Sequence, residues 1–203
     1  GTQGMIEYVP GEYAWRPVLA AGYMFIHCIF VGFKKEFKGK GFAGHLLDTC
    51  REDARKAGMR GMTVVTRKSS FMAGKEFFLK HGFTVADKAK PDFELLVNQF
   101  DTGQVLAGGS SGNSTPRFPD DLEKRAEAYG SGLTIIRADR CPYSVKNVRG
   151  IMETAEEEFG VQPKLVELTS AAEAQNAPSP FGTFAVLYNG RVISYHPISN
   201  TWF

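Results

Sequence analysis

The stretch from Tyr23 to Ala57 constrains the fold more than any other part of the chain. An apolar run, Tyr23 to Phe33, gives way to Phe37-Lys38-Gly39-Lys40-Gly41-Phe42-Ala43-Gly44-His45-Leu46-Leu47, and a helical pattern then reaches Ala57. This is a strand, a basic glycine-rich turn and a helix N-terminus. In the helix Phe42, Leu46, Cys50 and Ala54 recur every four positions, flanked by Ala43, Leu47 and Ala57. Asp48, Arg51, Glu52, Asp53, Arg55 and Lys56 fill the other faces. Gly58 stands where a left-handed C-terminal cap belongs. The first turn of a helix leaves backbone N–H groups without helical partners, and the helix dipole adds about half a positive charge there. Gly39, Gly41 and Gly44 permit positive φ and close approach of a ligand, and Lys38 and Lys40 add formal charge. Such a turn suits an anion, most often a phosphate.

Three phosphate loops can be compared with it. The Walker pattern G-x-x-x-x-G-K-S/T is absent. Gly39-Lys40-Gly41-Phe42-Ala43-Gly44 matches the dinucleotide fingerprint G-x-G-x-x-G, but the next strand ends Val64-Val65-Thr66-Arg67 without the carboxylate that fingerprint requires. Lys38-Gly39-Lys40-Gly41-Phe42-Ala43 resembles the acyl-CoA pyrophosphate loop of GNAT-type N-acetyltransferases, Gln/Arg-x-x-Gly-x-Gly/Ala, with Lys38 in place of Gln or Arg. A strand at Gly61–Thr66, a short helix at Phe71–Lys80, then His81-Gly82-Phe83 and strands at Thr84–Ala86 and Phe93–Val97 follow in the order of that family. Residues 23–97 thus resemble its acetyl-CoA-binding half. Further segments are similar to YoaP-like proteins, which join a GNAT domain to a thioredoxin-like tail. These are Ile6 to Pro17, Tyr23 to Cys28, Pro91 to Leu96, Cys141 to Ser144 and Gln175 to Pro180.

The resemblance implies an α/β fold class with mixed sheets. A GNAT acyl-CoA N-acyltransferase fold, trimmed at its N-terminus, is expected over residues 1–100, a linker and short helix over 101–131, and a small thioredoxin-like α/β domain over 132–203. It further implies acetyl-CoA as donor, with Val31, Gly32 and Phe33 meeting the pantetheine arm and Lys38, Gly39, Lys40, Gly41, Phe42, Ala43 and Gly44 meeting the pyrophosphate. The acceptor is expected to be a small-molecule amine, and no metal is called for. The position where many relatives carry a proton-donating tyrosine holds Phe78, which cannot donate. Candidate bases are His27, Glu7 and Glu12. His27 and Cys28 are adjacent in a strand and so point to opposite faces, His27 with Ile29, Val31 and Phe33. His45 and His81 could meet phosphate or solvent.

The remainder reads as a second unit. Asp101 to Pro116, with Gly108-Gly109-Ser110-Ser111-Gly112-Asn113-Ser114, has linker chemistry. A helix capped by Asp120 runs to Tyr129, and Leu133–Arg137 is a strand. The next helix reaches about Glu158, its apolar face formed by Val148, Ile151, Met152, Ala155 and Phe159. Lys164–Leu168 is a strand, Ala171–Asn176 a helical turn, and Asn189-Gly190 closes a hairpin between Thr183–Tyr188 and Val192–Tyr195. Cys141-Pro142-Tyr143-Ser144 resembles a glutaredoxin-like turn whose second cysteine is Ser144. A thiolate there would be favoured by the helix N-terminus, Arg140 and Lys146. Cys141 is thus a candidate nucleophile, or the fold is a packing module. A cis-proline is expected before the hairpin, at Pro178 or Pro180.

Composition narrows the alternatives. A net charge of +2 is too small to argue for nucleic acid, and there is no apolar run of about 18 residues that would span a membrane. Cys28, Cys50 and Cys141 do not form a disulfide framework, which points to a reducing, cytoplasmic setting. Three functions stay open: an N-acetyltransferase, an acyl-CoA-binding or interaction module without turnover, and a monothiol redox protein centred on Cys141.

Overall fold

Residues 61–66 are buried at every position, as a strand covered on both faces must be. This strand is the axis of the first of two units in the computed structural model, which describes residues 4–32, 34–37, 39–68, 72–100, 114–140 and 142–197. The first unit comprises Gly1–Ala14 and Val18–Phe118, the second Trp15–Pro17 and Pro119–Phe203.

The first unit contains strands β1 (Gly4–Pro10), β2 (Met24–Val31), β3 (Gly61–Thr66), β4 (Thr84–Ala89) and β5 (Phe93–Gln99), with helices α1 (Phe42–Lys56) and α2 (Lys75–Lys80). The sheet order is β1-β2-β3-β5-β4. β2 and β3 are parallel, joined across α1, and the other neighbours are antiparallel. α1 lays Leu47, Cys50 and Ala54 against Met24, Ile26, Met62, Val64 and Leu96, with Phe78 and Phe83 completing the cluster. Each large side chain buried there contributes about 1.5–3 kcal/mol. The buried stripe differs from the expected one at its start, since Phe42 is 46% exposed in the first turn of the helix. Gly58, at φ 67°, does form the left-handed cap.

Tyr8 Oη donates to Asp53 Oδ2 at 2.6 Å and ties β1 to α1. That bond, and burial after it, push the Tyr8 phenol up to about 12. The same bond, helped by Lys56, holds the Asp53 carboxyl below its usual range. The Tyr8 contribution to stability is therefore complete below pH 10 and is lost as pH rises through about 12. The Asp53 contribution is complete above the unfolded carboxylate value and is lost as pH falls through the lowered one. Tyr8→Phe is expected to flatten both limbs of a plot of urea midpoint against pH, measured side by side with the parent chain.

The second unit contains α3 (Leu122–Glu127), β6 (Leu133–Arg137), α4 (Pro142–Phe159), β7 (Lys164–Glu167), α5 (Ala171–Gln175), β8 (Phe184–Tyr188) and β9 (Arg191–Ser194). Its sheet runs β7-β6-β8-β9, with β6 and β7 parallel and the other pairs antiparallel. Asn189 and Gly190 have φ 49° and 72°, the two positive values that a tight hairpin turn requires. Ser170 and Glu173 form a reciprocal capping box on α5.

Ala126 of α3 is buried with Ile136, Ala185 and Leu187 in the core of the second unit. Three expectations change. The cap of α3 is Asp121, not Asp120. Phe159 is 62% exposed at the end of α4 rather than part of the core face. Among the described residues the cis X–Pro bond is Lys90–Pro91, so Pro178 and Pro180 are trans, and the turn into β8 is made by Gly182 at φ 81°. Residues 101–113 of the expected linker lie outside the described residues.

Candidate functional site

β2 and β3 share three registered pairs, Met24 with Met62, Phe25 with Thr63 and Ile26 with Val64. β2 then runs on, past His27, for four residues in register with β1, from Cys28 opposite Glu7 to Val31 opposite Gly4. Two parallel strands that part in this way leave a seam between them, bordered by about 13 Å of extended backbone.

The seam begins at an irregularity. Glu7 pairs with Cys28 and Tyr8 with Ile26, so His27 is an extra residue on β2, a bulge. The bulge exchanges the faces of the strand beyond it. Ile26 lies opposite Tyr8, and Ile29 lies opposite Ile6, and all four pack on the α1 side. His27 instead stacks edge-on against Phe25, with ring centroids 4.9 Å apart. It therefore does not share a face with Ile29, as simple alternation had it. Glu7 alternates with Ile6 and Tyr8, so it shares the face of Phe25 and His27. Two of the candidate bases, Glu7 and His27, are thus brought together at the head of the seam.

Glu12 is not brought to them. It follows β1 at the end where Pro10 pairs with Met24, and its Oε1 accepts from Gly22 N at 2.8 Å. The length of β2, about 23 Å, separates that end from the glycine-rich turn. Phe78 is fully buried, edge-on to Phe77 at 5.1 Å and to Phe83 at 5.3 Å. It is a core residue, not a member of the cleft.

Val31 and Gly32, both half-buried, lead out of β2 towards the turn, while Phe33, Lys38 and Cys141 lie outside the described residues. Gly39 and Gly41 take φ 70° and 77°, and a Cβ at either would meet nothing within 4 Å. Gly41 is the N-cap of α1, without a side-chain cap and without an acidic residue in the first turn. The first bond of the helix is His45 N to Gly41 O at 3.1 Å. The N–H groups of Phe42, Ala43 and Gly44 precede it and point into the open space before the turn. Exposed Lys34, Lys35 and Lys40 precede them in the chain. A helix terminus of this geometry is able to accept an anion.

Gly44 has a different role from the one expected. Its φ is not positive, and its missing Cβ makes room for His81, whose Nε2 would stand 3.3 Å from such an atom. His81 Nδ1 lies 2.8 Å from Phe77 O. A carbonyl only accepts, so Nδ1 donates, and Nε2 is the ring nitrogen nearer the first turn of α1. His45 is exposed on that helix. Cys50 is buried, and burial pushes its thiol up to about 12, which makes it inert. Among the described residues no helix is long and apolar enough to cross a membrane.

The model of the acetyltransferase (GNAT) family matches residues 4–83, and that of the YoaP-like family matches residues 163–203. The chain is 33% identical over 196 residues to the uncharacterized N-acetyltransferase YoaP of Bacillus subtilis (strain 168), covering 96% of this chain and 73% of that protein. Among solved structures it is similar to the PaiA N-acetyltransferase of Thermoplasma acidophilum in complex with coenzyme A, at 20% identity and a TM-score of 0.38. That match covers 48% of this chain and 54% of the PaiA chain. A GNAT family acetyltransferase from Elizabethkingia anophelis with acetyl-CoA bound is 19% identical at a TM-score of 0.36, covering 49% of this chain and 70% of that one.

Proposed function

The chain belongs to the family of the N-acetyltransferase YoaP, with a GNAT segment ahead of a YoaP-like one, and from that premise we propose that it transfers acetyl from acetyl-CoA to the nitrogen of a small amine. One observation carries the reading: β2 outruns its pairing with β3 and leads through the glycine-rich turn to an exposed helix N-terminus without a side-chain cap. In this proposal the pyrophosphate takes the first turn of α1, at Gly39 to Gly44, with Lys38 and Lys40 supplying charge. The pantetheine arm follows Val31, Gly32 and Phe33 along the seam. Glu7 and His27 take the proton from the incoming ammonium. The free amine attacks the thioester carbonyl, the C–N bond forms, the nitrogen gives up its second proton to solvent, and the C–S bond breaks. The leaving thiolate is protonated by solvent, since the phenyl ring of Phe78 has no proton to give. The reaction calls for no metal.

Calorimetric titration of acetyl-CoA tests the donor site, and a screen of small amines tests transfer. Each of Glu7→Gln and His27→Gln is expected to lower kcat about 100-fold or more while donor affinity holds. A chain that binds acetyl-CoA but acetylates no amine overturns the transferase reading in favour of a binding module.

The second unit is read here as thioredoxin-like. The β6-α4-β7 crossover followed by a hairpin, in the order β7-β6-β8-β9, supports that reading. A thiol role for Cys141 is the second reading, and its support is that α4 begins at the very next residue, Pro142.

A further inference from the structure

The second unit is not built from one continuous segment, because Trp15–Pro17 belongs to it together with Pro119–Phe203. Arg16 is buried, at 7% exposure, where a guanidinium requires acceptors. Its Nη1 donates to Phe181 O at 2.7 Å and to Pro180 O at 3.4 Å. Its Cζ lies 4.9 Å from the centroid of the Phe181 ring. Beside it, the ring of Trp15 lies under the guanidinium of Arg140 at 4.7 Å. The backbones also fit closely: a Cβ at Gly182 would stand 2.4 Å from Trp15 O and 2.8 Å from Arg16 Cα.

We propose that residues 179–182 and Arg140 form a docking surface for an aromatic–arginine pair, and that this chain fills it with its own Trp15-Arg16 as a strap. The carbonyls of Pro180 and Phe181 take the guanidinium, and a charged donor makes those bonds stronger than neutral ones. Phe181 offers its π face, Arg140 takes the indole, and Gly182 leaves room for the main chain. The loop has bonds of its own, Gly182 N to Ser179 O at 2.8 Å and Phe181 N to Ser179 Oγ at 3.2 Å. Ala138 N to Thr183 O, at 2.9 Å, joins it to the end of β6. The strap holds this loop as it enters β8, so its loss loosens the loop before anything else.

Hydrogen exchange on the full chain, read by mass spectrometry, tests the proposal. Arg16→Ala is expected to speed exchange at Gly182 and Ala138 about tenfold or more, with the amides of β3 and β5 unchanged. A pair of glycine variants approaches from the other side. Gly182 and Gly132 have similar φ, 81° and 87°, but a Cβ at Gly132 meets nothing within 4 Å. Gly132→Ala therefore carries backbone strain alone, and Gly182→Ala carries strain plus a clash with the strap. Gly182→Ala is expected to reproduce the Arg16→Ala pattern, and Gly132→Ala is not. Unchanged exchange at Gly182 and Ala138 in Arg16→Ala overturns the proposal. So does a rise spread evenly over loop, β3 and β5, because the loop then has no particular dependence on the strap.

Discussion

Gly41→Asp is expected to weaken acetyl-CoA binding about 100-fold or more, roughly 2.8 kcal/mol, in a calorimetric titration. The substitution sets a carboxylate at the N-cap of α1, beside the N–H groups that precede the first helical bond. A like charge against a pyrophosphate costs several kcal/mol. The substitution adds backbone strain at φ 77° but no clash. Asp enters positive φ more readily than most residues, and a Cβ at Gly41 meets nothing within 4 Å. Loss of binding by a chain still folded at the assay temperature separates a ligand effect from a folding one. Undiminished affinity in a folded variant would place the pyrophosphate elsewhere.

Phe78→Ala is expected to destabilise the chain by about 3–5 kcal/mol in urea denaturation, the usual range for emptying a core phenyl site. Phe78 has no solvent exposure and touches both Phe77 and Phe83. Phe78→Tyr separates core from cleft more sharply. In a catalytic cleft the added hydroxyl would supply the missing proton donor and raise kcat. In this core it enters an apolar cluster, where a polar group without a partner costs about 1–3 kcal/mol. We expect lower stability and no gain in rate. A faster Phe78→Tyr enzyme would show that the ring reaches the reacting atoms.

Short-range chemistry is legible in this sequence, and long-range chemistry is not. Asn189-Gly190 and Gly58 announce their positive φ because few other residues adopt it. The capping box of Ser170 and Glu173 was legible too, in the spacing Ser-x-x-Glu, although sequence reading passed it over. The bulge at His27 left no mark. Met24 to Val31 is apolar at almost every position, so there is no alternation whose interruption could be seen. The role of Gly44 depends on His81, which is distant in sequence. The membership of Trp15–Pro17 in the second unit rests on bonds from Arg16 to partners 164 and 165 residues away. For the proposed site, the glycine-rich turn is legible as a helix N-terminus, while the placement of Glu7 and His27 on one face of the sheet required the strand register, and the bond from Gly22 N to Glu12 required the fold.

The bulge also governs how β2 can vary over evolutionary time. A strand assigns residues to its faces by counting, and β2 holds two counting frames that meet at His27. Loss of one residue between Phe25 and Ile29 would merge the frames and leave the rest of the strand as it is, because the remaining residues would pair with β1 one to one. Ile29 would stay beneath α1, opposite Ile6. Loss of a residue elsewhere in β2 has no such slack and would turn the strand beyond it inside out. Lineages carrying this fold are therefore free to exchange or drop the residue at the head of the seam, but not its neighbours in the strand.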